Sequence, residues 1–155
     1  MRTPSQTVGP FYAIGLCRRD DSWLVPDGTR LTGQLLDGEG TPVVDGMIEL
    51  WDPVAGRWGR SGTQPAGTFS FVVEKPTARG DAAPHLLAYV FARGLLRHQL
   101  TRMYFPDESE ANAADPVLSA LEEGDRARLV AEQDDGGLRF DIHLQGDRET
   151  IFFTA

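Results

Sequence analysis

Short runs of alternating polarity, each ended by glycine or another turn-forming residue, constrain this chain more than any other feature. "GTFSFVV" puts Phe69, Phe71 and Val73 on one face of an extended segment and Thr68, Ser70 and Val72 on the other. "LRFDIHL" points Leu138, Phe140, Ile142 and Leu144 one way and Arg139, Asp141 and His143 the other. A period of two predicts half-buried strands. "LTGQLLD" (31–37) and "VVDGMIELWD" (43–52) are separated by "GEGTP", whose residues accept positive φ or preset a turn, so a hairpin is expected there. "HLLAYVFA" (85–92) is apolar on both faces, the pattern of a central strand buried between two layers. "DDGG" predicts a hairpin between "RLVAEQ" and "LRFDIHL", and "ETIFFTA" reads as a last strand. The longest irregular stretch, "DPVAGRWGRSGTQPAG" (52–67), reads as a loop that connects sheets or carries function.

One helix is expected, near 116–123. Asp115 is a good N-cap, Pro116 suits the first helical position, Val117, Leu118 and Leu121 supply an apolar stripe, and Gly124 ends it. With 17 glycines, about six to eight short strands and one brief helix, the fold class is all-β: a β-sandwich of two mostly antiparallel sheets. At 155 residues and 41% hydrophobic composition the chain can fill one core, so 1–155 reads as a single domain.

The formal net charge of -8 argues against nucleic acid or an anionic membrane surface as a partner, because phosphates reward clustered Lys and Arg. A small molecule or another protein is the expected partner. No apolar run approaches the length of a membrane span. Cys17 is the only cysteine, which excludes an intrachain disulfide and fits a reducing compartment, here read as the cytoplasm. Thr3 to Cys17, "TPSQTVGPFYAIGLC", carries no formal charge in this acidic chain. Pro4 and Pro10 favour extended backbone, so residues 1–17 read as an arm that lies against another surface, not as a helix.

The residues offer little independent chemistry. His85, His98 and His143 have no metal-chelating spacing, and no G-x-S-x-G elbow or phosphate-binding glycine loop is present. His143 alternates outward and reads as exposed, and His98 sits in a turn-like region at the surface. Arg93 follows the apolar run and precedes Gly94, so its guanidinium emerges at the end of a core strand. There it either reaches solvent or grips a carboxylate.

"TPSQTVGPF", "APH" with "VFARG", "RMYFPDE" and "GLRFDIHLQGDRETIFF" occur in order from Thr3 to Phe153. Together they resemble the α subunits of the protocatechuate 3,4-dioxygenase family, intradiol ring-cleaving enzymes. The resemblance implies a two-layer sandwich and a hetero-oligomer of α and β subunits of common fold. It also implies non-haem Fe(III) held in β by two tyrosines and two histidines. The resemblance implies that no catalytic residue and no metal ligand lie in this chain. Trp58 stands nearest a ligand tyrosine, His85 matches the first histidine of an H-x-H pair as a vestigial position, and Leu87 replaces the second. Residues 59–82 contain no tyrosine. Thr7, Gly9 and Pro10 match a "T-x-G-P" segment beside the aromatic substrate, and Arg93 of "FARG" matches the arginine that pairs with the substrate carboxylate. The arm would then pack on the β subunit and help wall the pocket for O2-dependent cleavage of protocatechuate to 3-carboxy-cis,cis-muconate in the β-ketoadipate pathway. Two other readings are an inactive homo-oligomeric binding module derived from that family and a non-enzymatic β-sandwich that binds a small acid or a protein.

Overall fold

The strand patterns assemble, in a computed structural model describing residues 2–18 and 20–154, into two packed sheets. The ends of the expected 1–155 domain, Met1 and Ala155, together with Arg19, lie outside the described residues. One sheet is built around β1 (Thr29–Leu36), which pairs antiparallel with β4 (Thr68–Val73) and parallel with β8 (Gly137–Arg139) and β9 (Ile142–His143). β7 (Glu132–Asp134) closes its far edge on β8 as the predicted hairpin. The other sheet runs β3 (Trp58–Gly62), β2 (Met47–Trp51), β5 (His85–Phe91), β6 (Gln99–Tyr104), all antiparallel.

The alternation read from the sequence decides which side chains meet between the sheets. Leu31, Leu35, Phe69, Phe71, Val73, Leu138, Phe140 and Ile142 from one sheet face Ile48, Leu50, Leu86, Ala88 and Val90 from the other, each buried. Removing each large apolar side chain from water contributes about 1.5–3 kcal/mol, which makes this seam the main source of stability. A second cluster of Tyr104, Leu118 and Leu129 seals one end beneath three short helices, α2 (Ser109–Ala114), α3 (Pro116–Ser119) and α4 (Glu123–Ala127).

Several expectations are corrected. Runs 31–37 and 43–52 do not form a hairpin: after the single bridge Leu36↔Pro42 the chain crosses to the opposite sheet. Asp37 caps that turn by accepting the N–H groups of Glu39 and Thr41 at 2.9 and 2.8 Å. Alternation states which side of a strand is buried, not which sheet it joins, and here the two apolar faces oppose each other across the core. The irregular stretch 52–67 contains β3, whose glycine-rich sequence hides its pairing with β2.

The expected helix over 116–123 starts where predicted but ends at Ser119, and Gly124 lies inside α4 rather than after a helix. Asp115 does cap α3, accepting from Val117 N–H and Leu118 N–H at 2.9 and 3.0 Å. The arm is also partly helical: α1 (Tyr12–Leu16) follows Pro10 and buries Ala13.

β5 is an interior strand as expected, but only Leu86, Ala88 and Val90 are fully buried, while its outer face is half-exposed. Among the described residues of the terminal "ETIFFTA", which exclude Ala155, there is no strand beyond one bridge, Phe153↔Leu100. His143, expected outside, is only 8% exposed. Its main chain is clamped by Thr150, which accepts His143 N–H through its hydroxyl and donates its own N–H to His143 O, both at 3.0 Å.

Candidate functional site

The outer face of the β3-β2-β5-β6 sheet carries rows of side chains set by strand register. Trp58, Trp51, Leu87 and Arg102 stand side by side on the four strands. The next row is Arg60, Glu49, Tyr89 and Leu100. Arg60 pairs with Glu49, lies 4.7 Å from the Trp58 ring centroid and donates from Nη1 to Leu16 O at 3.0 Å. That last bond, with Tyr12 Oη donating to Phe91 O at 2.6 Å, fastens α1 over one end of this face.

The N-terminal arm continues from α1 towards the turn after β5. There the N–H of Gly94 donates to Thr7 Oγ1 at 2.9 Å, joining the arm to the "FARG" segment. Gly94 has φ 86° and Gly9 has φ 76°, backbone conformations that favour glycine, and each lets the chain turn beside Arg93 and Thr7 respectively. Apart from Gly9 itself and its chain neighbours Val8 and Pro10, no heavy atom of the described residues lies within 4 Å of where a Cβ on Gly9 would sit. Its main chain is therefore open to a flat group from outside.

Thr7 turns to Gly94 while its neighbours Gln6 and Val8 line a cleft of about 540 Å³ with Phe91, Leu95, His98 and Leu100. Thr7 and Arg93 are thus brought together through Gly94, and Gly9 and the exposed Pro10 follow directly on the same arm. Arg93 is 68% exposed, with Nε 3.0 Å from Asp45 Oδ2. Val8, Phe11, Ile14 and Leu16 leave an apolar strip uncovered along the arm.

At the opposite end of the face lie His85 and Leu87, beside a smaller cavity of about 240 Å³ walled by Pro53, Val54, Ala82, Ala83 and Arg102. His85 Nδ1 is 2.8 Å from Ala83 O, and its ring packs on Tyr104 at 5.2 Å between centroids. Burial holds the imidazole below its ordinary pKa, a shift the Ala83 carbonyl opposes and the Arg102 charge reinforces. Tyr104 is buried, and burial pushes its phenol up to about 12. Its hydroxyl donates to Asp115 Oδ1 at 3.2 Å and accepts from Arg102 Nη1 at 3.2 Å.

A ferric ion needs several anionic or imidazole donors converging on one point. This position offers one imidazole, a leucine, an indole and a phenol already engaged with Asp115. The donor set does not fit iron.

Asp45, Tyr12 and the second role of Asp115 have no signature in the local sequence. Asp115 accepts Ala83 N–H through Oδ2 at 2.9 Å in addition to capping α3. Only the cap can be read from neighbouring residues. Asp45 in "VVDG" is hidden by the expected hairpin, which gives its side chain no reason to reach the end of β5.

The fold is that of the intradiol ring-cleaving dioxygenases. The dioxygenase domain of a dioxygenase carbohydrate-binding fusion from Streptomyces sp. SirexAA-E superposes with TM-score 0.61 at 21% identity, over 93% of this chain and 98% of that one. An intradiol ring-cleavage dioxygenase from Tetranychus urticae does so with TM-score 0.61 at 16% identity, over 79% and 83% of the two chains. At the sequence level the chain is 40% identical to a protocatechuate 3,4-dioxygenase alpha chain from Burkholderia cepacia, over 98% of this chain and 96% of the relative. Its identity to the alpha chain from Pseudomonas putida is 36%, over 97% and 95%. The chain belongs to the family of protocatechuate 3,4-dioxygenase alpha chains. No family model matches it.

Proposed function

We propose that this chain is the iron-free α subunit of a hetero-oligomeric protocatechuate 3,4-dioxygenase, and that a β subunit of the same fold carries the non-haem Fe(III). The ferric ion of that partner supplies the oxygen chemistry of ring cleavage between the two hydroxyl-bearing carbons. The work of this chain is to bind and orient the substrate. Arg93 receives the carboxylate of protocatechuate, and the main chain from Thr7 to Pro10 lies along the ring.

The observation that carries this reading is the Thr7–Gly94 hydrogen bond, which makes one wall of two segments 87 positions apart. A charge-assisted bond from Arg93 is worth about 1.5–3 kcal/mol and favours an acid over plain catechol. Holding the ring in one orientation removes much of the entropic barrier to reaction. The uncharged arm suits burial against the partner, since apolar and hydrogen-bonded groups desolvate at lower cost than unpaired charges. Residues 1–17 then act as a docking arm on a domain formed by the whole chain. Among the described residues no helix is long and apolar enough to cross a membrane, and the proposed place of work is the cytoplasm.

Oxygen uptake with protocatechuate, measured for this chain alone and after mixing with a β subunit, tests the reading. Activity is expected only in the mixture, with iron bound by β. Stoichiometric Fe(III) binding and ring cleavage by this chain alone would overturn it.

A further inference from the structure

The geometry points to Asp45 as a positioning residue that aims Arg93 at the substrate carboxylate, an inference that rests on the function proposed above. Asp45 sits just before β2, in the segment that crosses from one sheet to the other. Its main chain is fixed on either side. Gly46 N–H donates to Thr63 Oγ1 at 2.8 Å, and the Thr63 hydroxyl donates to Val43 O at 2.7 Å. Thr63 is fully buried, so residues 43–46 are held from within the protein.

The Asp45 side chain is only 13% exposed, against 68% for Arg93. The anchor is therefore held against the protein while the cation projects outward. Burial raises the Tyr12 phenol, and the Asp45 charge adds to that rise.

What Asp45 touches decides what Arg93 presents. The guanidinium offers one edge through Nε and another through its two terminal nitrogens. Asp45 Oδ2 lies 3.0 Å from Nε, an ion-pair contact that is not aligned as a hydrogen bond. Among the described residues no nitrogen of the Arg93 guanidinium makes a hydrogen bond, so its two terminal nitrogens remain able to donate as a two-pronged fork. That fork matches an incoming carboxylate end-on.

An arginine this exposed, without an anchor, samples many rotamers and must be ordered when the substrate binds. Ordering one such side chain costs binding roughly threefold to tenfold. Asp45 also places a negative charge near the site. It meets Arg93 from the protein side, being 13% exposed against 68% for the arginine, and the solvent around the exposed guanidinium screens its repulsion of the ligand. Orientation outweighs repulsion.

The test is made on the assembled αβ complex with Asp45→Asn, Arg93→Ala and the double variant, using protocatechuate and catechol as substrates. Asp45→Asn is expected to raise KM for protocatechuate about threefold to tenfold. The preference for protocatechuate over catechol in kcat/KM should fall by the same factor, with iron content unchanged. In the Arg93→Ala background, Asp45→Asn should change that preference no further. Asp45→Glu, which keeps the charge, should recover part of the loss, and it serves as the measured variant should Asp45→Asn fail to assemble.

An unchanged or lowered KM for the acid would overturn the positioning role, the lowered value meaning that Asp45 competes with substrate. Equal losses on both substrates would overturn it as well, leaving a structural role. If Arg93→Ala itself leaves the preference intact, the proposed function of Arg93 fails instead.

Discussion

The hydroxyl of Thr7 accepts the main-chain N–H of Gly94 at 2.9 Å, bridging an uncharged arm and the end of a core strand. Deleting that acceptor isolates its contribution. Thr7→Val keeps the shape, removes an exposed hydrogen bond that burial against the partner would make worth about 1 kcal/mol, and should raise KM for protocatechuate about fivefold in the assembled enzyme. Thermal stability should hardly move, because the bond lies outside the core. Steady-state kinetics beside a melting curve separate the two effects.

Arg93→Ala should raise KM for protocatechuate about tenfold to a hundredfold while iron content stays constant. Arg93→Lys should recover only part of the loss, since an ammonium is a point charge without the guanidinium fork. An unaltered KM in the alanine variant would mean that the carboxylate is held elsewhere.

Asp115 is fully buried and takes four donors: the N–H groups of Ala83, Val117 and Leu118 and the Tyr104 hydroxyl. Asp115→Ala loses the α3 cap and strands buried donors, so a loss of about 3 kcal/mol in unfolding free energy is expected by urea denaturation. Burial alone would raise this carboxyl, but the hydrogen bonds overcome it and the net shift is downward. A folded-state pKa below the unfolded value gives stability that is complete above the unfolded carboxylate range, near pH 4, and is lost as pH falls through the folded value.

His85 and His143 are each held below the ordinary imidazole value, first by burial. For His143 the charges of Arg148 and Arg128 add to that effect and Asp141 opposes it. The unfolded chain then binds protons that the folded chain refuses. Stability is complete above about pH 6.5 and declines as pH falls from there towards the folded values. Melting temperatures from pH 7.5 to pH 5 should show this slope, and His143→Gln should flatten it. A slope unchanged by His143→Gln would assign the effect to other groups.

Local physics makes much of the sandwich legible in the amino-acid order itself. Alternation at Phe69, Phe71 and Val73 and at Leu138, Phe140 and Ile142 identifies the buried faces, because side chains on a strand point to opposite sides in turn. Asp115 and Pro116 mark the start of α3, because capping is a contact within one turn. The motif residues Thr7, Gly9, Pro10 and Arg93 can be named from their resemblance alone. Tertiary structure decided the rest. It put β1 and β2 in different sheets, buried His143, closed Asp115 onto Ala83 and Tyr104, and set Asp45 against Arg93. Those relationships join distant parts of the chain or opposite layers, so nearest-neighbour periodicity carries no trace of them; they exist only once the two apolar faces have closed on each other.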